Sequence, residues 1–143
     1  MENVIKSLIA PEDDIFMKGG IPTEEVRRTM RKSDIFLFTS NEGEGWGMVL
    51  SEAMAEGCVP VASYSAGATT ELVKDGVNGF IYYNNNIEEL YRKTEILVMN
   101  HILSTEMQEK CYETIENEWN ADSAVKTLID MYSKIIRTEK NLI

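Results

Sequence analysis

The chain has 143 residues and a formal net charge of −10, which bounds it to one domain with a single core. Hydrophobic residues at 43% and charged residues at 27% fit a globular composition and exclude a disordered chain. The acidic balance argues against nucleic acid or an anionic membrane as partner, because both call for a basic surface; an anionic small ligand would need local help of the kind helix N-termini give.

In chain order, residues 1–9 read as the tail of a helix, with Ile5, Leu8 and Ile9 on one face. Residues 14–18 read as a short strand around Ile15 and Phe16, ended by Gly19, Gly20 and Pro22. Thr23 is placed to cap a helix reaching Lys32, with Glu24 and Glu25 in its first turn; Arg27, Arg28, Arg31 and Lys32 on it read as a solvated face. Residues 34–39 form a stronger strand, the uninterrupted Ile35–Phe38 run suiting a strand covered on both faces. The loop Ser40–Gly47 leads into a helix stopped by Gly57, then a buried strand at 59–63, a short helix near Thr69–Val73, an Asp75-Gly76 turn and a last strand at 79–83. Strands alternating with helices at this spacing predict βαβ units, hence an α/β fold with a Rossmann-like parallel sheet of about four strands flanked by helices.

The Asn residues 84–86 make a loop, and from about residue 86 the pattern is helical only. Ile87, Leu90, Tyr91 and Thr94 define one apolar face, Leu103, Met107, Cys111 and Ile115 a second, and Val125, Leu128, Ile129, Tyr132, Ile135 and Ile136 a third. Cys58 and Cys111 fall in different elements and read as buried thiols, with no CxxC for zinc. His101, the only histidine, lies between two helical stretches and reads as a surface or capping residue; no motif supports a catalytic triad on it. No apolar run reaches the length of a membrane span and no signal peptide opens the chain, so the cytoplasm is the expected compartment.

The chemistry concentrates between Ser40 and Gly79. Glu44 and Glu52 are seven residues apart, with Gly45, Trp46 and Gly47 between them. Glycines let a backbone approach a ligand closely. A helix starting near Met48 leaves the N–H groups of about 47–50 without partners, a seat for a phosphate or sugar hydroxyl. Ionised glutamates accept from vicinal hydroxyls, so the pair can grip two parts of an extended ligand. The plain alternative is that Glu44 complements the helix end and Glu52 is a solvated charge.

The run Glu44-Gly-Trp-Gly-Met-Val-Leu-Ser-Glu52-Ala-Met-Ala-Glu-Gly57-Cys-Val-Pro60-Val-Ala resembles the E-x7-E signature of family-four glycosyltransferases. Gly67 and the stretch Glu71-Leu-Val-Lys-Asp-Gly-Val-Asn-Gly79 are similar to that family's downstream block, and Ser33-Asp34 through Ser40 to its preceding strand. Trp119 before the last helix and Tyr132 within it also match. The likeness covers about residues 13–136. It implies the C-terminal, nucleotide-sugar-binding half of a two-domain GT-B enzyme that transfers a sugar with retention and without a bound metal or cofactor. By position, it puts Glu44 against the donor sugar and its reaction centre and Glu52 on the ribose hydroxyls. Gly45, Trp46, Gly47, Met48 and Val49 would meet sugar hydroxyls and diphosphate, with the base near Lys18, Gly19, Gly20 and Ile21.

The Ser40–Glu44 loop is one residue longer than the usual family version, and Thr39 stands where the family has proline. No segment matches the two opening βα units that carry a diphosphate-clamping Arg and Lys, and the acceptor-binding domain is missing, so the chain is expected to be truncated and inactive alone. An alternative is a non-catalytic nucleotide-sugar-binding subunit that partners a separate acceptor domain; another is a remnant that binds no ligand. Association with a membrane would come only through the full-length enzyme. A receiver-like signalling domain lacks its acidic cluster here. The family's strand order, 3-2-1-4-5-6, would leave the 14–18 strand two places from the next. It is therefore expected beside the strand of Phe36–Phe38, or paired or exchanged between two chains at the exposed edge, with a disordered N-terminus as the remaining alternative.

Overall fold

The computed structural model describes residues 2–83 and 86–140; Met1, residues 84–85 of the predicted asparagine loop and 141–143 lie outside them. Helix α1 (Glu2–Leu8) and an extended segment lead to α2 (Thr23–Met30) and strand β1 (Ile35–Phe38). Then come α3 (Met48–Ala55), β2 (Val59–Ser63), α4 (Gly67–Leu72) and β3 (Phe80–Tyr82). Helices α5 (Ile87–Met99) and α6 (His101–Glu113), a π-helical turn (Thr114–Glu118) and α7 (Ala121–Lys140) complete the chain.

The sheet is parallel, in the order β1-β2-β3, with Ile35 opposite Val59 and Val61 opposite Phe80. β2 is central and buried at all five residues. Its alternation feeds two cores: Val59 and Val61 pack with Tyr82, Leu97 and Met107, while Ala62 packs with Phe38, Leu50, Met54, Leu72 and Cys111. Pro60 is tolerated in a central strand because of register. The Val59 N–H donates to the Asp34 carbonyl at 2.8 Å, so by alternation the Pro60 nitrogen faces the β3 side, where pairing starts only at Val61. Gly79 fills that space, and a Cβ there would come within 2.7 Å of the Pro60 carbonyl oxygen.

The fold class is the one the sequence implies, with three strands among the described residues rather than about four. Residues 14–18 form no strand; Ile15 and Phe16 are 56% and 80% exposed. Three apolar residues between Asp14 and Lys18-Gly19-Gly20 bury too little surface to order a strand against a sheet. The segment therefore supplies neither a neighbour for β1 nor a strand to exchange, and β1 is an edge. Hence Leu37, on the thinly covered face, is 47% exposed, against the two-sided cover its apolar run predicts.

Other differences are local. Pro22, not Thr23, occupies the N-cap of α2, without a side-chain cap; its fixed φ of −58° suits entry into the helix. Of the predicted α5 face, Leu90 packs against the core, joined by the buried Leu97, while Ile87 and Tyr91 are exposed. The α6 face is buried as its period predicts, at Met107 and Cys111, and His101 is exposed at its first turn. Both cysteines are buried free thiols. Along α7 the predicted apolar stripe is there but uncovered, Leu128 being 68% exposed.

Arg27 and Arg31 are not solvated spectators. Both reach across to Glu56, the Arg27 guanidinium at 2.7 Å from Oε1 and Arg31 Nε at 2.7 Å from Oε2, while the Glu56 side chain is only 7% exposed. Hydrogen bonding from Arg31, with a further bond from Arg27, holds the Glu56 carboxyl below the usual carboxylate range against the opposing effect of burial. This clamp joins α2 to the end of α3 over the small core of Met30, Ala53 and Cys58. A carboxyl depressed in the fold contributes stability above its unfolded pKa, about 4.3, and loses it as pH falls through the lower folded value. Glu56→Gln should therefore lower the denaturant midpoint at neutral pH, with the gap to the parent closing as pH drops below about 4. Equilibrium unfolding across that range reads it.

Candidate functional site

The loop between β1 and α3 is built by local hydrogen bonds. The Asn41 side chain accepts from the Gly43 N–H at 2.9 Å, and its carbonyl accepts from the Glu44 N–H at 2.9 Å. These two bonds form an Asx turn. Ser40 Oγ lies 3.4 Å from Glu44 Oε2, leaving the half-buried Glu44 carboxylate with acceptor capacity in hand.

Gly47 then starts α3 in a left-handed conformation, φ 86°, ψ 56°. A Cβ on it would sit 2.7 Å from Phe38 Cζ, so both the backbone angle and the close approach of the ring require glycine. The helix end has no side-chain cap. The Leu50 N–H turns back to the Gly47 carbonyl at 3.0 Å, and the N–H groups of Met48 and Val49 precede the first intrahelical bonds. Met48 is 69% exposed and Glu52 is exposed on the same helix. In the chain, Glu44 precedes this open helix N-terminus and Glu52 follows it on α3; backbone N–H groups there can bind phosphate and the carboxylates can accept from hydroxyls.

The other side of the loop is pinned to α4. Gly67 N–H donates to the Gly45 carbonyl at 3.1 Å and Ala68 N–H to the Trp46 carbonyl at 2.8 Å. The Trp46 ring stacks on Trp119, centroids 5.2 Å apart and planes 13° from parallel. Gly67 and Trp119, matched in the sequence only as parts of a family pattern, both hold Trp46.

Next to the loop, a cavity of about 630 Å³ opens at the carboxyl ends of the strands, where ligands of open α/β sheets gather. Thr39, Ser40, Asn41 and Glu42 line it from the loop after β1, with Ser63 and Tyr82 from β2 and β3. Gly19, Gly20 and Ile21 lie elsewhere in the chain's path. Gly19 has φ 62°, and Ile21 lines a shallow groove on the flank of β1 with Val26, Met30 and Phe36. The structure thus gathers Glu44, Gly45, Trp46, Gly47, Met48, Val49 and Glu52 around one helix end and sets Ile21 against the sheet edge.

A parallel sheet with helices around it and an uncapped helix N-terminus following the loop after β1 define an α/β protein of the kind that can seat an anion at a helix end. The family described as Glycosyl transferases group 1 matches residues 4–118, and the chain belongs to this family. It is 30% identical over 122 residues to an uncharacterized glycosyltransferase of Methanocaldococcus jannaschii, covering 85% of this chain and 31% of that protein. It is 25% identical over 122 residues to the poly(ribitol-phosphate) alpha-N-acetylglucosaminyltransferase of Staphylococcus aureus, covering 85% of this chain and 24% of that protein. Among solved structures, the C-terminal domain of a glycosyl transferase group 1 family protein from Francisella tularensis superposes with a TM-score of 0.72 at 24% identity, covering 84% of this chain and 60% of that one. The S. aureus enzyme TarM, in a complex containing UDP, superposes with a TM-score of 0.71 at 25% identity, covering 85% and 24%. The chain thus spans 31% and 24% of the two curated relatives named. Among the described residues no helix is long and apolar enough to cross a membrane.

Gly47→Ala should destabilise the fold by about 2–4 kcal/mol, combining left-handed strain with overpacking. Phe38→Leu should recover part of that loss in the double variant, giving a coupling energy above about 0.5 kcal/mol. Chemical denaturation of the four proteins measures it, and strict additivity would remove the contact as the cause.

Proposed function

We propose that this chain is the donor-binding part of a retaining glycosyltransferase that moves a sugar from a nucleotide-diphosphate sugar to an acceptor. The observation that carries the reading is the uncapped N-terminus of α3, opened by left-handed Gly47 and flanked by Glu44 and Glu52, within the residues that match the family. In this reading the exposed Glu52 accepts from the ribose hydroxyls of the nucleotide. Glu44, oriented by Ser40, faces the donor sugar at its reaction centre. The backbone of Gly45 to Val49 meets sugar hydroxyls and the diphosphate, whose departure with added negative charge the helix end favours. Gly19, Gly20 and Ile21 take the base. No metal or cofactor is assigned. The UDP present in the related TarM structure supports a nucleotide diphosphate as the ligand class.

We read residues 1–143 as one donor-binding unit that includes the C-terminal helices, acting in the cytoplasm with an acceptor-binding domain, any membrane association arising through that larger assembly. The uncovered stripe of α7, with Val125 and Leu128 exposed, favours one second reading, a nucleotide-sugar-binding subunit that works with a separate acceptor chain; co-purification of such a chain would separate the two.

Glu52→Ala should weaken nucleoside diphosphate binding by about 1–3 kcal/mol, the loss of charge-assisted hydrogen bonds, with Glu52→Gln milder because size is kept. Calorimetry giving equal affinities would count against the ribose role. The 143 residues alone should transfer no sugar and hydrolyse a donor only weakly; turnover near or above about 1 per second in a coupled assay would refute the need for an acceptor wall.

A further inference from the structure

Trp46 and Trp119 are the two tryptophans of the chain, and they lie on each other. Trp119 is 45% exposed, so it is not placed there to fill a core. Its position is built. Thr114–Glu118 form a π-helical turn closed by the Trp119 N–H on the Thr114 carbonyl at 3.0 Å. One extra residue per turn swings the succeeding segment by about 100° relative to a continued α-helix. The turn itself is tied down. Buried Asn78 donates from Nδ2 to Thr114 Oγ1 at 3.0 Å, and Lys74 Nζ pairs with Glu118 at 3.0 Å. Beyond it, Asn120 Oδ1 accepts from the Ser123 N–H at 2.8 Å and starts α7. On the loop side, Trp46 also abuts Gly67, where a Cβ would lie 3.2 Å from Trp46 Cε3.

We propose that Trp119 is a positioning residue for the Glu44–Gly47 loop: the C-terminal segment, through the π turn, fixes the shape of the loop by stacking on Trp46. Backbone bonds from Gly67 and Ala68 hold the carbonyls of Gly45 and Trp46, and the stack is the contact that holds the loop's one large side chain, and with it the conformation of the glycines on either side. The proposal assigns the loop's order to a residue outside the signature. Its bearing on ligand affinity rests on the donor reading above.

The test uses the full chain with Trp119→Ala, Trp119→Leu and Trp119→Phe. Two stacked indoles give a far-ultraviolet exciton couplet in circular dichroism, expected in the parent and absent from all three variants. Amide hydrogen exchange then reads the loop. Exchange at Glu44, Gly67 and Ala68, whose N–H groups bond to the carbonyls of Asn41, Gly45 and Trp46, should rise about tenfold or more in Trp119→Ala and Trp119→Leu, stay unchanged in β2, and return close to parent in Trp119→Phe, which restores a ring. Unchanged loop protection in folded Trp119→Ala, or equal protection in Trp119→Leu and Trp119→Phe should the alanine variant not fold, overturns the proposal. UDP titration separates the two readings. If the parent binds UDP, affinity should fall about tenfold in Trp119→Ala and recover in Trp119→Phe. A parent that binds no UDP counts against the donor reading alone, while the exchange result still decides the role of Trp119.

Discussion

Two constraints meet at the Cα of Gly47. The chain must turn from an irregular loop into α3 through a left-handed residue, and the ring of Phe38 must pass where any other residue would carry its Cβ. Phe38 ends β1 and is 4% exposed, packed with Leu50 and Met54 of α3. The loop therefore cannot shift against the sheet without opening the core. Glu44 precedes this fixed point in the chain and Glu52 follows it on α3. Gly67 and Trp46 repeat the device on the other flank, where a missing Cβ admits an aromatic ring.

The downstream block of the signature has a different task. Asn78 is 1% exposed and spends its side chain on the Lys74 N–H at 2.7 Å, the Leu72 carbonyl at 2.9 Å and Thr114 Oγ1 at 3.0 Å. Its carbonyl accepts the Cys111 thiol at 2.9 Å. Asp75 accepts the Ile81 N–H at 2.7 Å. The Asp-Gly-x-Asn-Gly turn is thus a scaffold element that locks α4, β3 and α6 together. Burial pushes the Cys111 thiol up to about 12 and the Cys58 thiol to about 11, which keeps both protonated as donors in packing rather than nucleophiles.

Legibility in the sequence is a matter of range. β1, β2 and α3 are legible because an apolar run and Gly57 speak for their own segments, and the Glu44–Glu52 motif is contiguous. The Rossmann-like class comes from the alternation of those segments. Residues 14–18 mislead because three apolar residues state a preference that only a neighbouring strand can satisfy. Ile87 and Tyr91 mislead because periodicity names an apolar face without saying which part of it a sheet will cover. Arg27 and Arg31 look solvated for a similar reason: their partner, Glu56, belongs to another helix. The Trp46–Trp119 stack depends on a π turn, and one added residue in a helix leaves no mark in composition or period.

The electrostatics of the site bear on how a ligand would lie in it. The chain carries 24 acidic and 14 basic residues, with Glu44 in the loop and Glu52 on α3, so the overall field disfavours an anion except at the helix end. There the partial charge of the N–H groups is positive and short in reach. A phosphate set beside Glu44 or Glu52 would meet like charge; a hydroxyl set there would donate to it. On the donor reading this polarity fixes the ligand's direction. The diphosphate goes to the α3 N-terminus, with a hydroxylated ring on each side against a glutamate. A sugar phosphate alone would satisfy the helix end and one carboxylate and leave the other solvated. On the same reading, a carboxylate before the helix end and another on the helix suit a ligand with hydroxyls on both sides of its phosphates, as a nucleotide sugar has.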